Sequence, residues 1–133
     1  MHIRKRSMII CAAVIAVAVV VSAQTITVEA AGVAQRNLIQ VALGQQYPIT
    51  KIAAVKSGKH SSAYYVGAMF RVAGVGDVQG VWLVGGAKEQ PGTLLSINEP
   101  AHQYSGMRLA KETKAAASME DPEAKALLIA LDR

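Results

Sequence analysis

The sequence predicts an α+β domain built on an antiparallel sheet, and three observations carry that prediction. Residues 63–98 hold three short apolar, β-rich runs, AYYVGAMFRV, GVWLVGG and PGTLLSIN. Turn residues separate them at short spacing, the pattern of an antiparallel meander. Residues 33–46, just upstream, have helical periodicity. Downstream, Asp121-Pro122-Glu123 is a firm helix start: a capping side chain, a proline at the first helical position, then an acidic first turn. The predicted order is an N-terminal helix, a four-stranded antiparallel meander and a short C-terminal helix, with the helices gathered on one side of the sheet. At 133 residues the chain has room for one domain.

Residues 1–23 have the three zones of an export segment: the basic Arg4, Lys5 and Arg6, an unbroken apolar run over 8–21, and the small residues of Val21-Ser22-Ala23. As a helix the run rises about 21 Å, short of the roughly 30 Å hydrocarbon core. A signal peptide cut after Ala23 is expected; cleavage further on, near Ala30, and retention of 8–21 as a membrane anchor are the alternatives. Cys11 is the chain's one cysteine and lies inside the apolar run. Ile10 before it does not suit lipidation. Cleavage leaves a chain without disulfide, thiol nucleophile or Cys-ligated metal. Such a domain relies on its apolar core, which is feasible at this size.

The net charge of +5 includes Arg4, Lys5 and Arg6. From Gln24 onward 11 Lys/Arg face 9 Asp/Glu, a net of +2. The high pI therefore belongs mostly to the precursor and gives no argument for a nucleic-acid partner, which needs clustered basic residues. A periplasmic or a secreted destination fits that charge equally.

Residues 24–32 read as a short, flexible junction, and the α+β domain spans 33–133. In the 33–46 helix, Ala34, Leu38, Val41, Ala42 and Gln45 share a face, and Gly44 and Pro48 end it. The first strand is 49–56, followed by the polar loop 57–62. The second strand, 64–72, puts Tyr64, Val66, Ala68, Phe70 and Val72 on its expected core face, with Tyr65, Gly67, Met69 and Arg71 opposite. The third, 80–85, is apolar on both faces and is expected to be central. The fourth, 93–98, is stopped by Pro100. Residues 101–119 have no clean stripe and read as irregular or marginally helical. The last helix shows an apolar face of Ala124, Leu127, Leu128 and Leu131.

This order of elements resembles the cystatin-like folds, in which a helix lies across a curved antiparallel sheet. Inhibitory members carry a Gln-x-Val-x-Gly hairpin; the nearest string here is Gln79-Gly80-Val81-Trp82-Leu83, with Leu83 at the glycine position. The resemblance implies the fold and not protease inhibition. The block AYYVGA…GVWLVGG…PGTLLSINEPA is similar to small exported bacterial proteins of unknown function. That likeness implies export and a compact domain, and brings no catalytic residues.

Candidate chemistry is sparse. His60 and His102 are the histidines beyond the export segment. A metal site needs three or four converging ligands, so both are expected at the surface, with no metal and no cofactor. Glu99 and His102 stand at i, i+3, which shares a face only on a helix, and Pro100 argues against a helix there. No serine has a nucleophile-elbow context, and the Gly74-x-Gly76 and Gly85-Gly86 pairs precede strands rather than a phosphate-binding helix. Lys51, Lys56, Lys59 and His60 gather around the first hairpin, where lysine discourages edge pairing; the other reading is an anion or lipid-headgroup contact. Tyr64, Tyr65 and Trp82 lie in adjacent strands. They belong to the core if a helix covers them and to a binding surface if none does.

The residues proposed for an interaction surface are Tyr65, Trp82, His60 and His102. The function expected is a non-catalytic binding or interaction module, acting on an envelope or extracellular protein and meeting the membrane only through its N-terminal segment. The alternatives are a small hydrolase-type enzyme using Glu99 and His102, with His60 or Asp77, and a membrane-tethered domain.

Overall fold

The computed structural model of the protein describes residues 16–21 and 24–133. The rest of the expected export segment, Cys11 included, lies outside the described residues. The elements are β1 (Ala16–Val21), β2 (Gln24–Glu29), α1 (Val33–Leu43), β3 (Ile49–Lys56), β4 (Ala63–Val72), β5 (Gly76–Ala87), β6 (Gln90–Ser96), α2 (Glu99–Ser105), a 3-10 turn (Ala110–Glu112) and α3 (Pro122–Leu131). Strands β2 to β6 form an antiparallel sheet in sequence order, and β1 adds to its outer edge beside β2.

The α+β class and the antiparallel meander stand, but the sheet is larger than the four strands expected. The stretch expected as a flexible junction contains β2. Its Thr25-Ile26-Thr27-Val28 core alternates polar and apolar β-branched residues, which suits a half-buried strand. Val28 is 5% exposed. The helix α1 is therefore not the first element of the domain.

The helices are not segregated to one side. One core contains Val28, Val55, Tyr65, Val81, Leu83, Ala124 and Leu127, so α3 covers that face. The other contains Ile39, Leu43, Val66, Ala68, Phe70, Trp82, Val84 and Ala101, so α1 and α2 cover the opposite face. The cause is visible along β4 and β5, whose register pairs Tyr65 with Leu83 and Val66 with Trp82. Both parities are apolar there, and each needs a cover. A bulge between Ile49 and Lys51 lets Ile49, Ile52 and Ala54 all face the Trp82 side.

Two glycines set how closely the layers approach. A Cβ on Gly67 would stand 3.1 Å from Leu131 Cδ1 and 3.2 Å from Leu127 Cβ, so α3 sits directly on β4. A Cβ on Gly80 would stand 2.6 Å from Cη2 of Trp82. The indole thus lies across Gly80, with the Phe70 ring centroid 6.3 Å away.

The buried face of α1 is rotated from the expected stripe. Gln35, Ile39 and Leu43 are buried, whereas Val41 is 80% exposed. Gln35 hides this from the sequence because it reads as polar. Its Oε1 accepts the Gly32 N–H at 2.9 Å, closing the first turn and letting its stem enter the core.

Helix α2 opens across the end of the expected fourth strand and the start of the stretch expected as irregular or marginally helical. Asn98 caps it, accepting the Ala101 N–H at 3.1 Å, and Pro100 lies in the first turn, where it costs no backbone bond.

Gly67→Val is expected to lower unfolding free energy by about 1–3 kcal/mol, because the new methyls meet Leu127 and Leu131. Trp82→Ala is expected to cost about 3–5 kcal/mol by emptying the opposite core. Urea denaturation of each variant checks both; an unchanged midpoint for either would contradict the two-faced packing.

Candidate functional site

Strands β2 and β3 pair at a single position, Glu29 with Ala54. Beyond it they splay, and a cleft of about 510 Å³ opens between them at the start of α3. Thr25, Ile26, Thr27 and Glu29 line one wall, Val55 and Lys56 the other, with Gly58, Lys59, Asp121, Pro122 and Glu123 at the end. A second depression of about 460 Å³ lies between the start of α1 and the β5–β6 turn, around Val33, Asn37 and Lys88. The first has the richer polar chemistry.

The end of that first cleft is held by a network across distant parts of the chain. The Tyr65 hydroxyl donates to Asp121 Oδ2 at 2.6 Å, and the same oxygen accepts the Ser118 N–H at 3.1 Å. Lys59 Nζ reaches Asp121 Oδ1 at 3.3 Å and the Ala116 carbonyl at 3.2 Å. Glu123, 7% exposed, accepts the Gly58 N–H at 2.8 Å. Asp121 stands at the cap position of α3, but its carboxylate makes no capping bond to that helix. Tyr65 and Lys59 have recruited it instead.

Burial works against the ionised form of Asp121. Hydrogen bonds from Tyr65, Ser118 and Lys59 outweigh that penalty and hold the carboxyl below its ordinary value. Burial, the hydrogen bond to Asp121 and the charges of Glu123 and Asp121 push proton loss from Tyr65 far above the usual phenol range. At neutral pH the pair is a fixed phenol and a fixed carboxylate. Neither is poised to exchange a proton, so the pair works as a latch between β4 and α3.

The residues proposed for an interaction surface do not assemble into one. Tyr65 and Trp82 are both fully buried, on opposite faces, and their place on an exposed surface is corrected. Each was apolar enough to fill a core and polar enough to need a partner there. Trp82 Nε1 donates to Ser105 Oγ at 3.1 Å. His102 lies on α2, with Nδ1 2.7 Å from the Met107 carbonyl. His60 lies in the β3–β4 loop, where its backbone N–H donates to Ser57 Oγ at 2.9 Å.

The helix α2 puts Glu99 and His102 on one face despite Pro100, but His102 Nδ1 turns to Met107. Asp77 pairs with Arg71 at 3.3 Å at the β4–β5 turn. His60 precedes the other end of β4, a ten-residue strand that spans roughly 30 Å at its normal rise.

The lysines of the first hairpin also separate. Lys51 Nζ donates to the Leu131 carbonyl at 3.1 Å, at the end of α3, while Lys59 serves the start of the same helix. Lys56 stands 5.6 Å from the Tyr64 ring centroid. Among the described residues no group of three or more His, Cys, Asp or Glu is placed to hold a metal ion. No helix among them is long and apolar enough to cross a membrane.

Sequence reasoning missed the cleft and the latch. The Tyr65–Asp121 bond joins residues 56 positions apart, and no local pattern encodes it. Comparison of the chain with protein-family models, curated proteins and solved structures finds no match.

Tyr65→Phe is expected to cost about 1.5–3 kcal/mol at neutral pH, the range for a hydrogen bond to a charged group. The folded-state value for Asp121 is lowered, so the stability its ionised form contributes is present above the ordinary carboxylate value of 3.8. It is lost as pH falls through the lowered value. The gap between the natural chain and the Phe variant should therefore narrow in acid, as thermal melts at pH 7 and pH 2.5 would show. A gap that does not depend on pH would contradict the charged latch.

Proposed function

We propose that this chain is an exported, non-catalytic binding module of the cell envelope or extracellular space, with the cleft between β2 and β3 as its ligand site. Export rests on the three-zone segment over 1–23, with cleavage after Ala23. The observation that carries the binding reading is the cleft itself. Its volume of about 510 Å³ falls within the roughly 300–1,000 Å³ of small-ligand sites. Its end wall is rigid, because Tyr65, Asp121 and Lys59 fasten β4, the β3–β4 loop and α3 together.

A non-catalytic role is supported by the state of the titratable groups. Tyr65 holds its proton, Asp121 holds its charge, and both face structural partners. His102 Nδ1 is taken up by the Met107 carbonyl beside Glu99, Asp77 pairs with Arg71, and His60 lies toward the other end of β4, which is a poor arrangement for acid–base work.

The ligand this cleft suits is an extended segment of an envelope or extracellular protein. Past Ala54, β3 has no register partner on the β2 side, and an unpaired strand backbone is what extended peptides recognise. Ile26 and Val55 offer apolar contact, and Lys56 and Glu29 offer charges of both signs.

Gly58 provides the test. A Cβ built there meets only Glu123 Oε2, at 3.4 Å, so Gly58→Phe sets a ring at the cleft end while keeping the backbone N–H that Glu123 accepts. The exported natural chain, used as bait against envelope and secreted fractions, should retain a partner that the folded Phe variant releases. Equal retention by both would remove the cleft as the site.

A further inference from the structure

The two edges of the sheet are protected differently. At β6, the Ser96 N–H donates to the Arg108 carbonyl at 2.8 Å and Ser96 bridges Leu109, so the following segment covers that edge. At β2, the cover is β1, which pairs with every residue of the strand from Gln24↔Val21 to Glu29↔Ala16. On its inner side β2 has only Glu29↔Ala54. Cleavage after Ala23, on which this inference rests, takes β1 away. It leaves Gln24–Val28 with no ladder partner on either side, and buried or edge backbone groups seek one. The strand itself carries neither lysine nor proline to discourage pairing.

We propose that in the processed protein this edge is filled by β2 of a second copy, paired antiparallel about Thr27, so that two sheets join into one. Residues directly opposite in an antiparallel pair share a face. Ile26 and Val28 face the core under α3, while Thr25 and Thr27 are exposed on the other side. A two-fold through Thr27 sets Thr27 against Thr27, Ile26 against Val28, and Thr25 against Glu29. Apolar meets apolar and polar meets polar at every pair, the self-complementarity that an isologous interface requires. A two-fold through Ile26 would instead set Gln24 against Val28, and a one-residue slip would mix the faces. The far end of β2 is already pinned by the ion pair of Glu29 with Lys88 and by buried Val28, so the strand is presented rather than loose.

The full-length chain is expressed in a secreting bacterial host and recovered from the exported fraction. Intact mass reads its N-terminus, and sedimentation at micromolar concentration reads its assembly. A chain beginning at Gln24 that sediments as a dimer is expected. Thr27 is solvent-exposed, so charge there should spare the fold. Thr27→Lys and Thr27→Glu each place like charges opposite one another across the two-fold. Either variant alone should raise the dimer dissociation constant by about fivefold or more, and an equimolar mixture should recover the dimer because Lys then faces Glu. A monomeric chain beginning at Gln24 overturns the dimer and leaves the export reading intact. Variants that still dimerise alone, or a mixture that does not recover, move the contact off β2 and overturn it too. A mass that includes 16–21 overturns cleavage after Ala23, and the dimer with it, because β1 then keeps the edge.

Discussion

Tyr65 and Val66 are neighbours on β4, point to opposite faces, and leave no surface to water. The rest of the structure follows from that double burial. Strand β4 shares ten register pairs with β5, and the apolar residues of both strands alternate between two cores. Each large side chain kept from water is worth about 1.5–3 kcal/mol. A bare face with four or five of them would cost as much as the roughly 5–15 kcal/mol that stabilises a typical domain. Three helices must therefore be divided between two faces. The tight seats at Gly67 and Gly80 show how close that packing is.

Each face then meets the same secondary problem, a large aromatic with a polar end that must find a partner in the dark. The Tyr65 hydroxyl finds Asp121 at the start of α3, and the Trp82 indole finds Ser105 at the end of α2. A hydrogen bond from each aromatic thus helps tie a helical layer to the sheet. The cleft lies where this order stops. The cover provided by α3 begins at Pro122, and β2 meets β3 only at Glu29 and parts from it over the residues before. The gap between them carries the polar groups that the core could not absorb.

Much of this was written locally. The strand over Ile49–Lys56, the long strand through Tyr65 and the helix starting at Pro122 all follow from alternation, turn residues and a proline at a helix start, which act within a few positions. The misreadings are local as well. Gln35 concealed the buried face of α1 because its amide bonds back to Gly32. Asn98-Glu99-Pro100 has the same grammar as Asp121-Pro122-Glu123 but was masked by the irregular residues after it. The candidate site is different in kind: Tyr65 and Asp121 were each visible, one as an aromatic and one as a helix cap, and their bond was not.

By itself the sequence determined the basic, apolar and small-residue zones of its first 23 residues, the antiparallel meander and the absence of cysteine after Cys11. These are properties of neighbours along the chain. Only the tertiary structure decided which face each helix covers, that Tyr65 and Trp82 are core rather than surface, and that β2 parts from β3 to leave a cleft. Those depend on which side chains meet across the sheet. A strand apolar on both faces calls for covers without saying which helix supplies them, and a carboxylate near a helix start can cap its own helix or bind a tyrosine from another strand. Packing selects between those outcomes.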